Sequence, residues 1–199
     1  MLALGHFQDA AVEVAVLDRL ERALVRRVGP WIYSRDGADL ADVVGAALES
    51  RGLTVACAES CTGGLLGHRL TGRPGSSAYF LESAVVYANE AKVRRLAIPP
   101  KLIARHGAVS APVARAMARG ILASSGADFG LAVTGIAGPG GGTPAKPAGL
   151  VYIALARRGR VEVERRIFSG GRDNVKFQSS QKALDMLRNS LMKAAPKAL

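Results

Sequence analysis

The sequence predicts an α/β domain, built in layers around a mixed sheet. Three observations carry this expectation. Short apolar runs alternate with amphipathic stretches through the middle of the chain. The last two runs face each other across a turn near Gly159, as a hairpin does. Segments 59–64 and 135–143, rich in glycine and small polar residues, follow apolar runs directly, as loops do at the carboxyl ends of strands.

Residues 9–27 read as an amphipathic helix striped by Val12, Val16, Leu20, Leu24 and Val25, and Gly29-Pro30 stops it. A second helix is predicted over 38–51, with Leu40, Val43, Val44, Ala47 and Leu48 inward and Gly52 closing its end. Leu53 to Ala58 is a short buried strand that meets the turn Glu59-Ser60-Cys61-Thr62-Gly63-Gly64. A helix continues to Leu70, and Arg73-Pro74-Gly75-Ser76 is a turn. Residues 79–87 form a strand and 89–96 a short helix. Ser110 is placed to cap a helix over 111–125. A strand over 129–134 leads into a loop to Pro147. Strands over 149–156 and 161–168 and a helix over 173–194 complete the chain.

The 199 residues suffice for one domain with an appendage. Hydrophobic residues at 49% and charged residues at 22% match a globular protein rather than a disordered one. No apolar run approaches the length of about 18 residues that a transmembrane helix needs. The N-terminus lacks a basic region and is interrupted by Asp9, Glu13 and Asp18, so it makes a poor signal peptide, and a cytoplasmic address is expected. Cys57 and Cys61 are too sparse for a disulfide scaffold. With His68 they fall short of the paired spacing of a zinc site, so no metal is expected.

Basic residues number 27 against 16 acidic ones, a net charge of +11 that suits anionic ligands. The pairs Arg26-Arg27, Arg94-Arg95, Arg157-Arg158 and Arg165-Arg166 are scattered, and no nucleic-acid-binding motif accompanies them, so a solvated basic surface is favoured over a nucleic-acid footprint.

Three segments hold residues suited to chemistry. In Glu59 to Gly64, a serine on a tight strand-to-helix turn would present its hydroxyl from a rigid base. The amides after it could hold a phosphate or an oxyanion, although a plain capped helix start reads the same way. Lys92, one turn into a helix after a strand, could act as a base if desolvated, whereas an ordinary lysine at that place would be solvated. Thr134 to Thr143 places a hydroxyl before a glycine-rich loop that matches no standard nucleotide motif. A phosphate cradle, a lid and a simple connection all fit it.

Ala58-Glu59-Ser60-Cys61-Thr62-Gly63-Gly64 resembles the AESCTGG signature of the CinA C-terminal domain family, also called nicotinamide-nucleotide amidase. Pro74 to Ala78, Tyr87, Asn89-Glu90-Ala91-Lys92, His106 to Ser110, Thr134 to Pro139 and Lys146-Pro147-Ala148-Gly149 match the family in order and spacing, over about residues 38–190. The resemblance implies a three-layer α/β/α sandwich with a mixed sheet, spanning 38–195. It implies hydrolysis of nicotinamide mononucleotide to nicotinate mononucleotide and ammonia without metal or cofactor. The family's serine and lysine fall on Ser60 and Lys92, and Tyr87 and Thr134 fall on assisting positions. Arg172 falls on a basic, substrate-binding position after the last strand; with it the loop carrying Gly138 is expected to hold the ribose phosphate, and amides near Thr62, Gly63 and Gly64 to hold the oxyanion. The implied partner is a small-molecule nucleotide, and a homo-oligomer is expected.

Residues 1–37 resemble the arm that joins this domain to a larger N-terminal domain in two-domain members. That larger domain, with its pyrophosphatase activity, is not expected in this chain. The family commonly has a glycine pair where this chain has Glu82-Ser83, and serine where it has Ala88. A glutamate at 82 could crowd or recharge the pocket, and these departures keep open the reading of a nucleotide-binding module of weak activity, while the charge of +11 keeps open that of a competence- or repair-associated nucleic-acid-binding protein.

Overall fold

The structure, a computed structural model, describes residues 5–193. Positions 194 and 195, where the sequence reading ends the last helix and the domain, lie outside the described residues. The chain divides into two compact units, Met1–Ala38 and Asp39–Leu199. In the first, helix α1 (Gly5–Val28) carries Arg26 and Arg27 in its last turn, where basic charge complements the helix dipole. Val16, Leu20 and Leu24 lie exposed along it. A 3-10 turn over Gly29–Trp31 ends the helix at its glycine-proline pair.

The second unit is built on a five-stranded sheet in the order β2-β1-β3-β4-β5. Its strands are β1 (Val55–Glu59), β2 (Phe80–Val85), β3 (Phe129–Gly135), β4 (Leu150–Arg157) and β5 (Arg160–Ile167). β1 runs parallel to both β2 and β3, while β3-β4 and β4-β5 are antiparallel, so the sheet is mixed. The chain leaves β1 toward one neighbour and returns to the other side, which makes the carboxyl end of β1 a topological switch point. Every residue of β1 is buried, as expected of a central parallel strand covered on both faces.

The two faces of the sheet are packed differently. On one side Val55, Cys57, Leu131, Val133, Val151, Ile153 and Leu155 meet α2 (Leu40–Glu49), α3 (Leu65–Thr71) and α7 (Arg172–Lys193). On the other side Ala56, Ala58, Ala132, Ala154 and Ala156 make a flat surface for α4 (Asn89–Leu96), α5 (Pro100–His106) and α6 (Ala111–Ser125). The small side chains let α6 lie close to the sheet. A β-carbon on Gly130 would come within 2.4 Å of the Ala118 carbonyl oxygen.

The elements follow the sequence pattern with shifted ends and one addition. α5 was not anticipated in the stretch between Leu96 and Ser110. Pro100 opens it at a position where a missing N–H costs nothing, and the Pro-Pro pair masked that signal. Ser110 does precede α6, but its hydroxyl donates to the Gly107 carbonyl at 2.8 Å instead of capping the helix. The end of α2 is closed by the Gly52 region, with Ser50 at the cap position and Gly52 in the left-handed conformation at φ +59°.

Polar ties fix the helices on the first face. Asp39 caps α2 by accepting from the Ala41 amide at 2.8 Å. It also receives Arg69 of α3 at 2.9 Å, and the same guanidinium donates to Ser180 and Gln181 of α7 and stacks on Phe177, 4.9 Å from the ring centre. Arg69→Ala is therefore expected to destabilise the protein by about 2 kcal/mol, lowering Tm by about 4–8 °C. Arg69→Lys should recover less than half of this, since an ammonium cannot reproduce the planar fork; urea and thermal unfolding measure both. On the second face, Ala88 occupies the cap position of α4 in extended geometry and offers no side-chain acceptor. Ala88→Ser supplies one, and a gain of about 1 kcal/mol in unfolding free energy is expected. An unchanged or lower denaturation midpoint would contradict the capping argument.

Candidate active site

The loops after β1, β2 and β3 converge at the carboxyl end of the sheet. Ser60 directly follows β1, and its amide continues the ladder by donating to the Val133 carbonyl at 2.9 Å. The side chain alternates away from Glu59 onto the alanine-lined face, where α4 lies. There Lys92, 1% exposed, extends its amine to 3.2 Å from Ser60 Oγ. The same amine donates to the carbonyls of Val86 and Tyr87, at 2.9 Å each, just past the end of β2.

This geometry defines what the amine can do. An ammonium has three N–H donors, whereas a neutral amine has two and a lone pair. The two carbonyls can occupy both N–H groups of the neutral form, leaving the lone pair toward the Ser60 hydroxyl. Burial lowers the Lys92 pKa, so the neutral form is more accessible than for a solvated lysine. The neighbouring Cys61 behaves in the opposite sense. Its thiol is buried and pushed up to about 12, which keeps it un-ionised and a weak nucleophile.

Tyr87 and Arg172 form a second group at the mouth of the same site. Arg172, at the start of α7, donates to Tyr87 Oη at 3.0 Å and to the Gly138 carbonyl at 3.2 Å. The bond to Tyr87 raises the Arg172 pKa above its ordinary value, so its charge is secure. Tyr87 is 58% exposed, its hydroxyl accepts from Arg172, and its backbone carbonyl accepts from Lys92. Thr134 is buried at the end of β3, and its hydroxyl donates to the Ala108 carbonyl at 3.0 Å. It holds the 106–110 loop against the sheet beside Ser60. Lys146 adds to that contact by donating to the His106 and Val109 carbonyls, at 2.9 Å each, which ties down the glycine-rich loop.

The amides after Ser60 differ from expectation. Gly63 N–H donates to the Ser60 carbonyl, and Gly64 N–H donates to the Glu59 carboxylate at 2.9 Å. Neither is open to a substrate anion, as the sequence reading had supposed. The N–H groups of Cys61 and Thr62 remain, and the buried Thr62 hydroxyl is without a hydrogen-bond partner among the described residues. An unpaired buried hydroxyl two residues after Ser60 is a place where a ligand atom would be well received. Sequence reasoning missed Glu59 and Lys146. The signal for Glu59 was present, as an acid closing an otherwise apolar buried strand immediately ahead of a helix start.

Glu82 was expected to crowd or recharge the pocket. It pairs with Ala56, four residues before Ser60, which puts it about 13 Å down the sheet from Ser60. A cavity of about 560 Å³ between α4, α5 and α6 is lined by Leu96, Ile98, Leu102, Pro112, Arg115 and Arg119 among others, and its lining holds no nucleophile or base. Among the described residues, no group of three or more His, Cys, Asp or Glu side chains is arranged to hold a metal ion, and no helix is long and apolar enough to cross a membrane.

The chain resembles known proteins along most of its length. It is 52% identical over 191 residues to a competence-damage inducible protein of Moorella thermoacetica, covering 96% of this chain and 46% of that one. It is 49% identical over 183 residues to a CinA-like protein of Geobacter sp., covering 92% and 44%. The chain thus spans under half the length of these curated relatives. Among solved structures, the competence/damage inducible protein CihA of Agrobacterium tumefaciens superposes with a TM-score of 0.75 at 41% identity, covering 81% of this chain and 98% of that one. Competence damage-inducible protein A of Klebsiella pneumoniae superposes with a TM-score of 0.76 at 37% identity, covering 78% and 97%. The family model for the CinA C-terminal domain matches residues 37–191. With that match and the shared three-layer fold, the chain belongs to the CinA C-terminal domain family.

Proposed function

We propose that this chain is an amidohydrolase that converts nicotinamide mononucleotide to nicotinate mononucleotide and ammonia, with Ser60 as nucleophile and Lys92 as base. The observation that carries the reading is the buried Lys92 amine, 3.2 Å from Ser60 Oγ and shared only with two backbone carbonyls. The choice of substrate follows from family resemblance and from the cationic mouth at Arg172.

In the proposed reaction, Ser60 Oγ attacks the carboxamide carbon and its proton passes to Lys92 Nζ. The carbonyl oxygen becomes an oxyanion beside the Cys61 and Thr62 amides; one such donor is worth about 3–4 kcal/mol in comparable sites. As the tetrahedral species collapses, the C–N bond breaks, Lys92 returns the proton to the departing nitrogen, and ammonia leaves. Water then attacks the ester, giving its proton to Lys92. The bond to Ser60 Oγ breaks, the serine is reprotonated, and the carboxylate product departs. Arg172, with three guanidinium N–H groups beyond those given to Tyr87 and Gly138, would meet the ribose phosphate. Thr134 and Lys146 act indirectly, by holding the loops that border the site.

Ser60→Ala is expected to abolish ammonia release from nicotinamide mononucleotide while Tm stays within a few degrees of wild type. Cys61→Ala should remain active, because its thiol is un-ionised and buried. A Ser60→Ala variant that keeps a tenth of the wild-type rate, or an active Ser60→Ala beside an inactive Cys61→Ala, would remove Ser60 from its role. An unaltered chain that releases no ammonia would favour the binding-module reading.

Lys92→Arg should be nearly as damaging as Lys92→Ala, since a guanidinium stays protonated and cannot accept the serine proton. The pH dependence supplies an independent check. Only the neutral amine is active, so kcat/KM should rise with pH and level off below the ordinary lysine pKa, because burial lowers the pKa of Lys92. Near wild-type kcat in Lys92→Arg, or a profile flat from pH 6 to pH 10, would refute the base assignment.

A further inference from the structure

Glu59 ends β1, immediately before Ser60, and is completely buried. A buried carboxylate is costly unless its oxygens are filled. Here both are filled, and every donor is neutral. Oε2 accepts from the Gly64 amide at 2.9 Å and the Leu66 amide at 3.1 Å. Oε1 accepts from the Gly67 amide at 2.8 Å and the Ser83 hydroxyl at 2.8 Å. The carboxylate thus occupies amides at the start of α3 that would otherwise need solvent or an anion.

The turn bearing Ser60 is consequently held at both ends. Behind it, the Ser60 amide is fixed to Val133. Ahead of it, Gly63 and Gly64 take left-handed conformations, at φ +61° and +100°, and the chain is drawn back onto Glu59. Ser83 belongs to the same arrangement. α3 passes β2 so closely that a β-carbon on Gly67 would come within 2.7 Å of Ser83 Cβ, so glycine at 67 makes the room that Ser83 fills. The Ser83 hydroxyl is the side-chain member of the set around Glu59.

We infer that Glu59 is a positioning residue for the Ser60 nucleophile, and that Ser83 completes its coordination in this chain. The inference rests on the reading of Ser60 as a nucleophile, but not on the identity of the substrate. It also explains why the Gly64, Leu66 and Gly67 amides at the start of α3 are not open to an anion. Glutamine at 59 would turn one pair of donors toward an amide NH2, placing donor against donor and displacing the turn.

The test compares Glu59→Gln with wild type by labelling of Ser60 with a fluorophosphonate probe, by kcat and KM for ammonia release, and by Tm. Val44→Ala, a buried substitution on α2 outside the turn, serves as the control for destabilisation alone. The labelling rate and kcat of Glu59→Gln should fall by about a hundredfold, the scale expected for a small misplacement of a reacting group, with KM nearly unchanged. Val44→Ala should label at the wild-type rate despite its lower Tm. Ser83→Gly should lose about threefold to tenfold in labelling rate, as the loss of one hydrogen bond implies. If Glu59→Gln labels no slower than Val44→Ala, its role is purely structural and the inference is overturned. If Glu59→Gln does not fold, unchanged labelling in both Ser83→Gly and Ser83→Ala overturns it instead. Wild-type protein that is labelled at Ser60 but releases no ammonia would refute the proposed substrate, and the labelling series would still decide the role of Glu59. Wild-type protein that is not labelled at all overturns the inference.

Discussion

A lysine amine kept out of water at the end of a parallel strand pair is the constraint around which this domain is arranged. Lys92 is 1% exposed, and its amine is accommodated because the chain supplies two backbone carbonyls and one hydroxyl at hydrogen-bonding distance. Those acceptors come from the segment after β2 and the turn after β1, so both strand ends must sit in register. That register is secured by the parallel pairing of Glu59 with Val85 and with Val133. A charged group would not be stable at such depth without this provision, and the same desolvation that makes the position costly lowers the pKa of Lys92.

The asymmetry of the two sheet faces serves the same end. On the face that carries Lys92, the strands present alanines, so α6 lies close to the sheet and leaves α4 at its margin. On the opposite face larger Leu, Val and Ile side chains pack against α2, α3 and α7. That layer holds the buried carboxylate of Glu59, which the amides at the start of α3 and the Ser83 hydroxyl of β2 supply with donors. The two polar residues most deeply set at the end of β1, Glu59 and Ser60, thus face opposite layers. One organises the turn and the other is exposed to the amine.

Arg172 links three separate pieces of the chain. Its contacts with Tyr87 after β2 and Gly138 after β3 bring the start of α7 to the rim of the site. The positive charge of the chain is mostly dispersed, but here it is placed by specific bonds. Lys146 is spent differently, on two carbonyls of the 106–110 loop, and acts as a fastening for the glycine-rich segment.

The alternation of apolar runs and amphipathic stretches was enough to read the layered fold, since burial on one face or both leaves a direct trace in residue pattern. The motifs around Ser60, Lys92 and Thr134 were legible through family resemblance, and all three lie at the same end of the sheet. What the pattern did not contain was the partner of each polar group. Thr134 turned to the Ala108 carbonyl, the Gly64 amide to Glu59, and the Ser110 hydroxyl to Gly107. Glu82 proved to be down the strand rather than beside the pocket, because strand register decides that distance. The sequence by itself determined the layers, the strand-end loops and the residue types available for chemistry. Only the tertiary structure decided which hydrogen bonds those residues make, because Ser60 and Lys92 meet across 32 positions of chain and each donor takes whichever acceptor the packed strands bring within reach.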